Sequence, residues 1–331
     1  MAVLILFFLM VESSRAYAIA SMGSESRLAA AMLSHYEIVF FTNTDLSSAF
    51  SSFKGLSRQT AGALSIPFGE LIYGLDLLDP YASADMLANS AAVLMGGKGF
   101  TPPEGEGAAQ MSHFCYIVNF RKKSRPDFQK YAAKAHKASM AGEPMWSWQV
   151  HSQNPRGENT TYYAVELGDS YLLVSNDLDE LQLITKQLTS SDDASKTLSG
   201  IRDWSLLSQH EYWGYRRVRH DGVVEKDAAT LEFRMPGAAI VIMFADIKHK
   251  TATVRVFGVQ ANEVITLMKQ RDEQQREALK RLGMRQPLAD SSEFKAIDAR
   301  TLEKVSSLKG AEHSEGEIIN SMGLFGFEIV I

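Results

Sequence analysis

The sequence predicts an α+β protein made of two related antiparallel-sheet units with helices packed on one face. Strand-like runs rich in aromatic and β-branched residues, such as Phe114–Phe120 and Tyr171–Ser175, alternate with runs of helical period. A strand–turn–strand–helix pattern at Tyr162–Leu188 returns at Ala239–Lys269, as expected of an internal repeat. Hydrophobic residues make up 45% of the 331 residues, and this content favours a folded chain with a substantial core.

The first residues have the pattern of a secretory signal peptide. The run Ala2–Val11 is wholly apolar but too short for a bilayer span, which needs about 20 residues. Ala16-Tyr17-Ala18 follows as an A-x-A cleavage pattern, so residues 1–18 are predicted to be removed. No Lys or Arg precedes the apolar run, and a buried N-terminal element or an uncleaved anchor remain alternatives. We expect a soluble mature chain in the periplasm or secreted, with no stable membrane span after cleavage.

A polar stretch of small residues at 189–200 marks the expected boundary, which gives a first unit at 19–190 and a second at 200–331. In the first unit, local pattern predicts a strand at His35–Phe41, a helix from Leu46, helices within 66–95 broken at Asp79-Pro80, a glycine-rich loop at 96–107, a strand at Phe114–Phe120, a helix from Phe128 to Gly142, strands at Trp146–Val150, Thr161–Leu167 and Tyr171–Ser175, and a helix from Asp177 to Leu188.

In the second unit, the same reasoning predicts strands at Ala229–Arg234, Ala238–Ala245 and Ala252–Gly258, a helix from Asn262 to Leu282, a helix at Thr301–Leu308, a short helix at Glu315–Ser321 and a terminal strand at Phe325–Ile331. The middle of the long helix, from Lys269 to Arg276, is wholly polar and is expected to be solvated.

Several classes of function find no support in the sequence. Lys plus Arg number 34 against 39 Asp plus Glu, and the resulting net charge of −5 argues against nucleic-acid binding. The single cysteine, Cys115, excludes an intramolecular disulfide and a multi-cysteine zinc site, and its strand-like setting predicts a buried, inert thiol. Esterase, phosphate-loop and zinc-protease motifs are missing, so no catalytic residue, metal or cofactor is predicted.

The most unusual segment is His210–His220, in which aromatic residues and arginines alternate. Such a strand could stack aromatics and arginines against a ligand and bind carboxylate or phosphate groups. This hypothesis assigns an anion- or glycan-binding surface to Trp213, Tyr215, Arg216, Arg217, Arg219 and His220. The alternative is an edge strand whose arginines pair with acidic residues and whose aromatics cover the core.

Three stretches, Tyr163–Leu181, Tyr212–His220 and Gly323–Phe327, resemble exported bacterial proteins of unknown function from acidobacteria-like sources. The resemblance implies an extracytoplasmic α+β protein, and it carries over no activity and no site residue. The missing basic residue before the apolar start departs from what such an exported protein should have.

The leading hypothesis is therefore a non-enzymatic exported protein that serves as an envelope binding or interaction module. Its partner would be an envelope protein, a glycan or another anionic ligand. Two alternatives stay open: an exported hydrolase with a motif-free active site, and self-association through the polar helix around Lys269–Arg281.

Overall fold

The computed structural model describes residues 25–43, 69–101, 110–121, 124–150, 159–189, 194–217, 240–246, 249–281 and 291–307. The predicted signal peptide, the helix from Leu46, the strand at Ala229–Arg234 and the two elements after residue 308 lie outside these residues, as do Arg219 and His220.

The first part of the chain builds seven strands and four helices among the described residues. In chain order these are α1 (25–35), β1 (Ile38–Thr42), α2 (Gly69–Leu78), α3 (Ala82–Ala88), β2 (Ser90–Thr101), β3 (Gln110–Phe120), two 3-10 turns (Phe128–Lys130 and Ala132–Lys134), β4 (His136–Met140), β5 (Glu143–Val150), β6 (Thr160–Leu167), β7 (Tyr171–Ser175) and α4 (Leu178–Thr189).

The second part adds α5 (Ala194–Ser199), α6 (Trp204–Leu207), β8 (Tyr212–Arg217), β9 (Ile240–Asp246), β10 (Thr251–Phe257), α7 (Ala261–Arg281), β11 (Ser291–Asp298) and β12 (Thr301–Ser307). None of the described helices is both long enough and apolar enough to cross a bilayer.

The described strands form one 12-stranded sheet in the order β11-β12-β10-β9-β8-β1-β2-β3-β7-β6-β5-β4. Neighbouring strands in this sheet are antiparallel, which confirms the predicted α+β class with mostly antiparallel pairing. Strands from before the expected boundary occupy one side of the sheet and strands from after it the other. The two sides are hydrogen-bonded to each other through β1 and β8, so the sheet is continuous.

Helices cover both faces of the sheet, and the prediction of helices on one face was wrong. All five residues of β1 are buried, and because successive side chains point to opposite faces, both faces need a cover. Side chains of α2, α3 and the first turn of α7 pack with Phe40 on one face. Side chains of α1, α4, α5 and α6 pack with Phe41 on the other face, which we call the α4 face.

Four local predictions were wrong, each because tertiary pairing overrode a local signal. The helical region expected to reach residue 95 ends at Ala88, and Ser90 begins β2 between β1 and β3. The glycine-rich segment at 96–99 continues β2, where Gly96 leaves room for the ring of Tyr36. The helix expected after Phe128 is replaced by two 3-10 turns and the β4–β5 hairpin, which turns at Ala141 and Gly142 with positive φ angles. Thr301–Leu308 was expected to be helical, but β12 pairs there with β10 and β11.

Candidate functional site

The aromatic part of the predicted binding segment lies inside the sheet. Strand β8 is bonded on one side to β1 and on the other to β9, so it is a central strand and not an edge. Trp213 and Tyr215 are each 2% exposed on the α4 face, and Trp213 stacks on Phe41 with ring centroids 5.4 Å apart. Trp204 of α6 meets Trp213 edge-on at 5.5 Å. These rings therefore cover the core of the α4 face, as the alternative interpretation expected of the aromatics.

The two described arginines of the segment have different surroundings. Arg216 is half-buried, and desolvation lowers the pKa of its guanidinium to about 10, although the nearby Glu37 carboxylate opposes the shift. At neutral pH Arg216 is still charged. Arg217 is exposed at the end of β8, and its guanidinium lies 5.9 Å from the centre of the Tyr215 ring. Among the residues that the structure describes, Arg217 has no carboxylate within ion-pair distance.

A second group of charged side chains, which the sequence did not single out, lies on the same face. Lys98 of β2 and His113 of β3 are directly opposite each other in the ladder. Two carboxylates at the start of α4 face them: His113 Nδ1 is 2.7 Å from Asp177 Oδ2, and Lys98 Nζ bonds to Glu180 Oε1. We call Lys98, His113, Asp177 and Glu180 the α4 ion-pair cluster.

Side-chain hydrogen bonds fix the start of α4 over the sheet. Asp177 is the cap of the helix, because its Oδ1 accepts from the backbone N–H groups of Asp179 and Glu180 at 2.9 and 3.1 Å. Asn176 extends the β3–β7 pairing: its Oδ1 accepts from Phe114 N and its Nδ2 donates to Ser112 O, both at 2.9 Å. The cluster is thus held by β3 and α4 together.

A half-buried imidazole and a buried thiol lie behind the cluster. His35, at the end of α1, is close to Glu180 and Lys98, and burial lowers the pKa of its imidazole while Glu180 opposes the shift. The fully buried Cys115 thiol lies beside the Tyr36 hydroxyl, and burial raises the pKa of the thiol to about 12. Cys115 is therefore no nucleophile at neutral pH, in agreement with the predicted inert thiol.

The cluster and Arg217 occupy the same end of the α4 face. Arg217 N donates to Glu37 O at 2.7 Å, and Glu37 N donates to Gly97 O at 3.1 Å, so Arg217 lies level with Lys98 across two strand spacings, or about 10 Å. We call Arg217, Lys98 and His113 the basic row. In ion pairing the three differ: Lys98 and His113 face carboxylates, whereas Arg217 forms no ion pair among the described residues. Glu37 lies between Arg217 and Lys98 in the ladder, so the row is interrupted by one acidic residue.

Metal chemistry has no support in the described part of the chain, where no group of three His, Cys, Asp or Glu side chains is placed to hold an ion. The α4 ion-pair cluster instead holds charged side chains and the imidazole of His113 in fixed positions. Sequence reasoning placed Asp177 and Glu180 at the start of a helix and predicted no partner for either carboxylate. It missed Lys98 and His113 because their partners come from a helix far along the chain, and the only available signal was the alternation of the β3 run.

Comparison with known proteins gives no family. No protein-family model and no curated protein matches the chain. Among solved structures, crystal form III of TP0453 aligns with a TM-score of 0.43 at 7% identity, over 88% of this chain and 97% of that chain. Crystal form I of TP0453 aligns with a TM-score of 0.38 at 9% identity, over 87% and 94% of the two chains. Both TM-scores are below 0.5, so neither alignment supports a conclusion about the fold or the function of this chain.

Proposed function

We propose that this protein is a non-catalytic binding module that works outside the cytoplasm and holds an anionic group at the basic row. One observation carries the proposal: Arg217 is an exposed guanidinium, placed over the Tyr215 ring, without a carboxylate partner among the described residues. An arginine in that state has its fork of N–H donors available for a carboxylate, sulfate or phosphate.

Neighbouring groups support this role for Arg217. Tyr215 is buried and cannot move away, so the guanidinium above it loses less freedom when a ligand binds. Lys98 and His113 lie level with it on the same face and are 31% and 43% exposed in their side chains, but each is already paired with a carboxylate, so Arg217 is the member of the row whose donors are open to a ligand. The predicted site residues Arg219 and His220 follow Arg217 directly in the chain and belong to the proposal on that ground.

The place of action rests on the sequence. The apolar run Ala2–Val11 and the A-x-A pattern after it favour export, and the resemblance to exported bacterial proteins agrees with that. Under this proposal the ligand is an anionic glycan or an acidic patch of an envelope protein. Sequencing the mature N-terminus from the native host tests export: the expected start is Ile19, and a cytoplasmic protein that keeps Met1 would contradict it.

The test of binding compares Arg217→Ala with Arg281→Ala. Both remove an exposed arginine, and Arg281, at the end of α7, lies in a different strand–helix region of the chain. We expect wild type and Arg281→Ala to bind at least one member of a panel of sulfated, carboxylated and phosphorylated glycans and acidic peptides. Arg217→Ala should lose at least ten-fold in affinity while its thermal unfolding stays unchanged. If the wild type binds no member of the panel, or if both variants bind equally well, the proposal fails.

An exported hydrolase is the second candidate, and the His113–Asp177 pair favours it. Asp177 orients the imidazole through Nδ1 and leaves the other ring nitrogen for a reacting group, as in a general base. A matched pair exists in His249 and Asp246, 2.5 Å apart on an exposed turn. If the chain hydrolyses esters, amides or glycosides, His113→Ala should abolish the activity and His249→Ala should leave it intact. No turnover across such substrates would remove this candidate.

We also infer that the two halves of the chain are related units, and the topology supports this. In each half a helix precedes a run of three neighbouring strands, and a later hairpin packs its second strand against the third strand of the run: β1-β2-β3-β7-β6 corresponds to β8-β9-β10-β12-β11. This correspondence matches β6 and β7 with β11 and β12, and not with β9 and β10 as the pattern at Tyr162–Leu188 and Ala239–Lys269 suggested. The first strands of the two halves meet antiparallel, with Phe40 opposite Gly214, as a two-fold relation requires. A protease site inserted at 190–193 should be cut in the native protein, with both halves staying associated. Resistance to cleavage would argue against a boundary there.

A further inference from the structure

The two edges of the sheet differ in a way that points to self-association. Strand β11 is bonded to β12 on one side, and no described strand lies on its other side. Its side chains alternate: Glu293, Lys295 and Ile297 are exposed on one face, while Phe294 and Ala296 are half-buried on the other. An open edge of this length presents backbone donors and acceptors that another strand can pair with.

We propose that β11 pairs antiparallel with β11 of a second copy of this chain, around a two-fold axis through Phe294. In that register each Phe294 faces its own copy, and Glu293 of one chain lies opposite Lys295 of the other, twice. Residues that are directly opposite in an antiparallel pair point to the same face, so both ion pairs form on the exposed face. The half-buried Phe294 rings then meet on the side that carries the core.

The charged side chains of β11 favour this register over the two registers that are shifted by two residues. A shift by two residues in one direction would place Lys295 opposite Lys295, and the same shift in the other direction would place Glu293 opposite Glu293. Like charges directly opposite each other are unfavourable in a ladder, whereas opposite charges stabilise it. The edge therefore fits one partner, an identical strand, in one alignment. The irregular pairing between Ala296 and Asp298 limits the regular part of the edge to the residues before Ile297.

The other edge lacks this complementarity. Strand β4 has the sequence His-Lys-Ala-Ser-Met, with no acidic residue, and Lys137 lies over the Trp146 ring at 5.9 Å. Lysine on an edge is a common device against pairing. A second copy of β4 would offer Lys137 no acidic residue to pair with. The β4 edge is thus unfavourable for pairing, whereas the β11 edge is complementary to a second copy of itself. One pairing edge per chain favours a closed dimer over an open chain of copies.

The experiment is sedimentation of the full chain at rising concentration. We expect wild type to pass from monomer to dimer and no further. Lys295→Glu and Glu293→Lys should each weaken dimerisation at least ten-fold, because each places like charges in both pairs. The double variant Glu293→Lys, Lys295→Glu keeps opposite charges facing each other and should dimerise like wild type, which also shows that both positions tolerate the changes. Lys137→Glu on the β4 edge is the matched control and should leave the dimer intact.

Four results would overturn the proposal. A wild-type chain that stays monomeric at every concentration would do so, as when another segment already covers β11. Single charge reversals that dimerise like wild type would place the contact elsewhere. A double variant that stays monomeric while its unfolding temperature is unchanged would contradict the paired charges. Growth beyond dimer, sensitive to Lys137→Glu, would mean that β4 joins β11 in an open assembly. None of these results bears on Arg217 binding, which can be measured on monomer.

Discussion

The ring of Tyr36 lies directly over Gly96, so closely that a Cβ built on this glycine would come within 2.3 Å of Tyr36 Cδ2. Tyr36 follows the last turn of α1 and is 2% exposed, while Gly96 lies inside β2. The contact fixes the end of α1 against the sheet and closes the space over Cys115, whose thiol is beside the Tyr36 hydroxyl. It also explains why a glycine-rich segment continues a strand.

Replacing Gly96 should therefore destabilise the fold through one neighbour. We expect Gly96→Ala to lower the free energy of unfolding by about 1–3 kcal/mol, the usual cost of overpacking, measured by urea denaturation. Gly200→Ala is the control, because the nearest atom to a Cβ there is Thr197 O at 3.5 Å. In a Tyr36→Ala background the cost of Gly96→Ala should largely vanish. An equal cost in both backgrounds would show that Tyr36 is not the cause.

The thiol of Cys115 should not react with thiol reagents in the native protein. Burial raises its pKa to about 12, so thiolate is scarce at neutral pH, and the side chain is fully enclosed. We expect no reaction with a thiol reagent at pH 7 to 8 until the chain is unfolded in guanidinium, where one equivalent should react. Tyr36→Ala should open the space and make the native thiol reactive. Prompt reaction of the wild-type thiol would contradict the observed burial.

Stability should depend on pH through His35. Burial lowers the pKa of its imidazole below 6.5, so the unfolded chain takes up the proton first as the pH falls. The contribution of neutral His35 is complete above about pH 6.5 and is lost as the pH falls through the lower folded value. His35→Gln should flatten the stability profile below pH 6.5, measured by thermal unfolding. A wild-type slope of opposite sign would refute the assignment.

Arg255 should be the most stabilising ion-pair residue of the second half. Its Nε and Nη2 donate to Glu303 Oε2 at 3.0 and 2.6 Å, and its Nη1 donates to Asp203 Oδ2 at 2.8 Å, which joins β10 to β12 and to the start of α6. Arg255→Met should cost about 1.5–3 kcal/mol of unfolding free energy, because two carboxylates lose their partner.

Two control variants separate geometry from charge at Arg255. Arg255→Lys keeps the charge but loses the fork, and we expect an intermediate loss. Arg281→Met removes an exposed arginine whose ion pair among the described residues is with Glu277 at 3.3 Å, and its effect should stay within about 0.5 kcal/mol. An equal effect of Arg255→Met and Arg281→Met, measured by urea denaturation, would mean that the Arg255 bonds contribute nothing net.

The local sequence pattern was enough to predict a helix or a strand where the residues of that element carry the periodicity themselves. Strands β3, β6 and β7 and helix α4 followed from runs of aromatic and β-branched residues and from helical period. Strand β12 was missed because Leu302, Val305 and Leu308 have helical spacing. Its true inward face is Leu302, Lys304 and Ser306, and Lys304 is only 5% exposed, with its Nζ 5.1 Å from the centre of the Phe294 ring. A lysine at a buried position hides the period of a strand.

The candidate site could not be predicted from the local sequence pattern, for a related reason. The charges of α4 are visible in the sequence, but their partners on β2 and β3 become neighbours only when the sheet forms. The central position of β8 is likewise a property of the topology. Sequence alone could name Arg217 as unusual, but it could not separate that residue from the aromatics beside it, which are buried.

The pairing of β1 with β8 has a consequence for how the chain folds. Strand β1 is made early, yet one of its two neighbours begins only at Tyr212. Until that segment arrives, β1 has an unpaired apolar edge, and loop closure over such a separation is slow. The hairpins on either side can form first, because each is local in sequence. We therefore expect closure of the seam at Phe40 and Gly214 to be the slow step of folding, so folding speed should change more with substitutions at this seam than with substitutions in any hairpin.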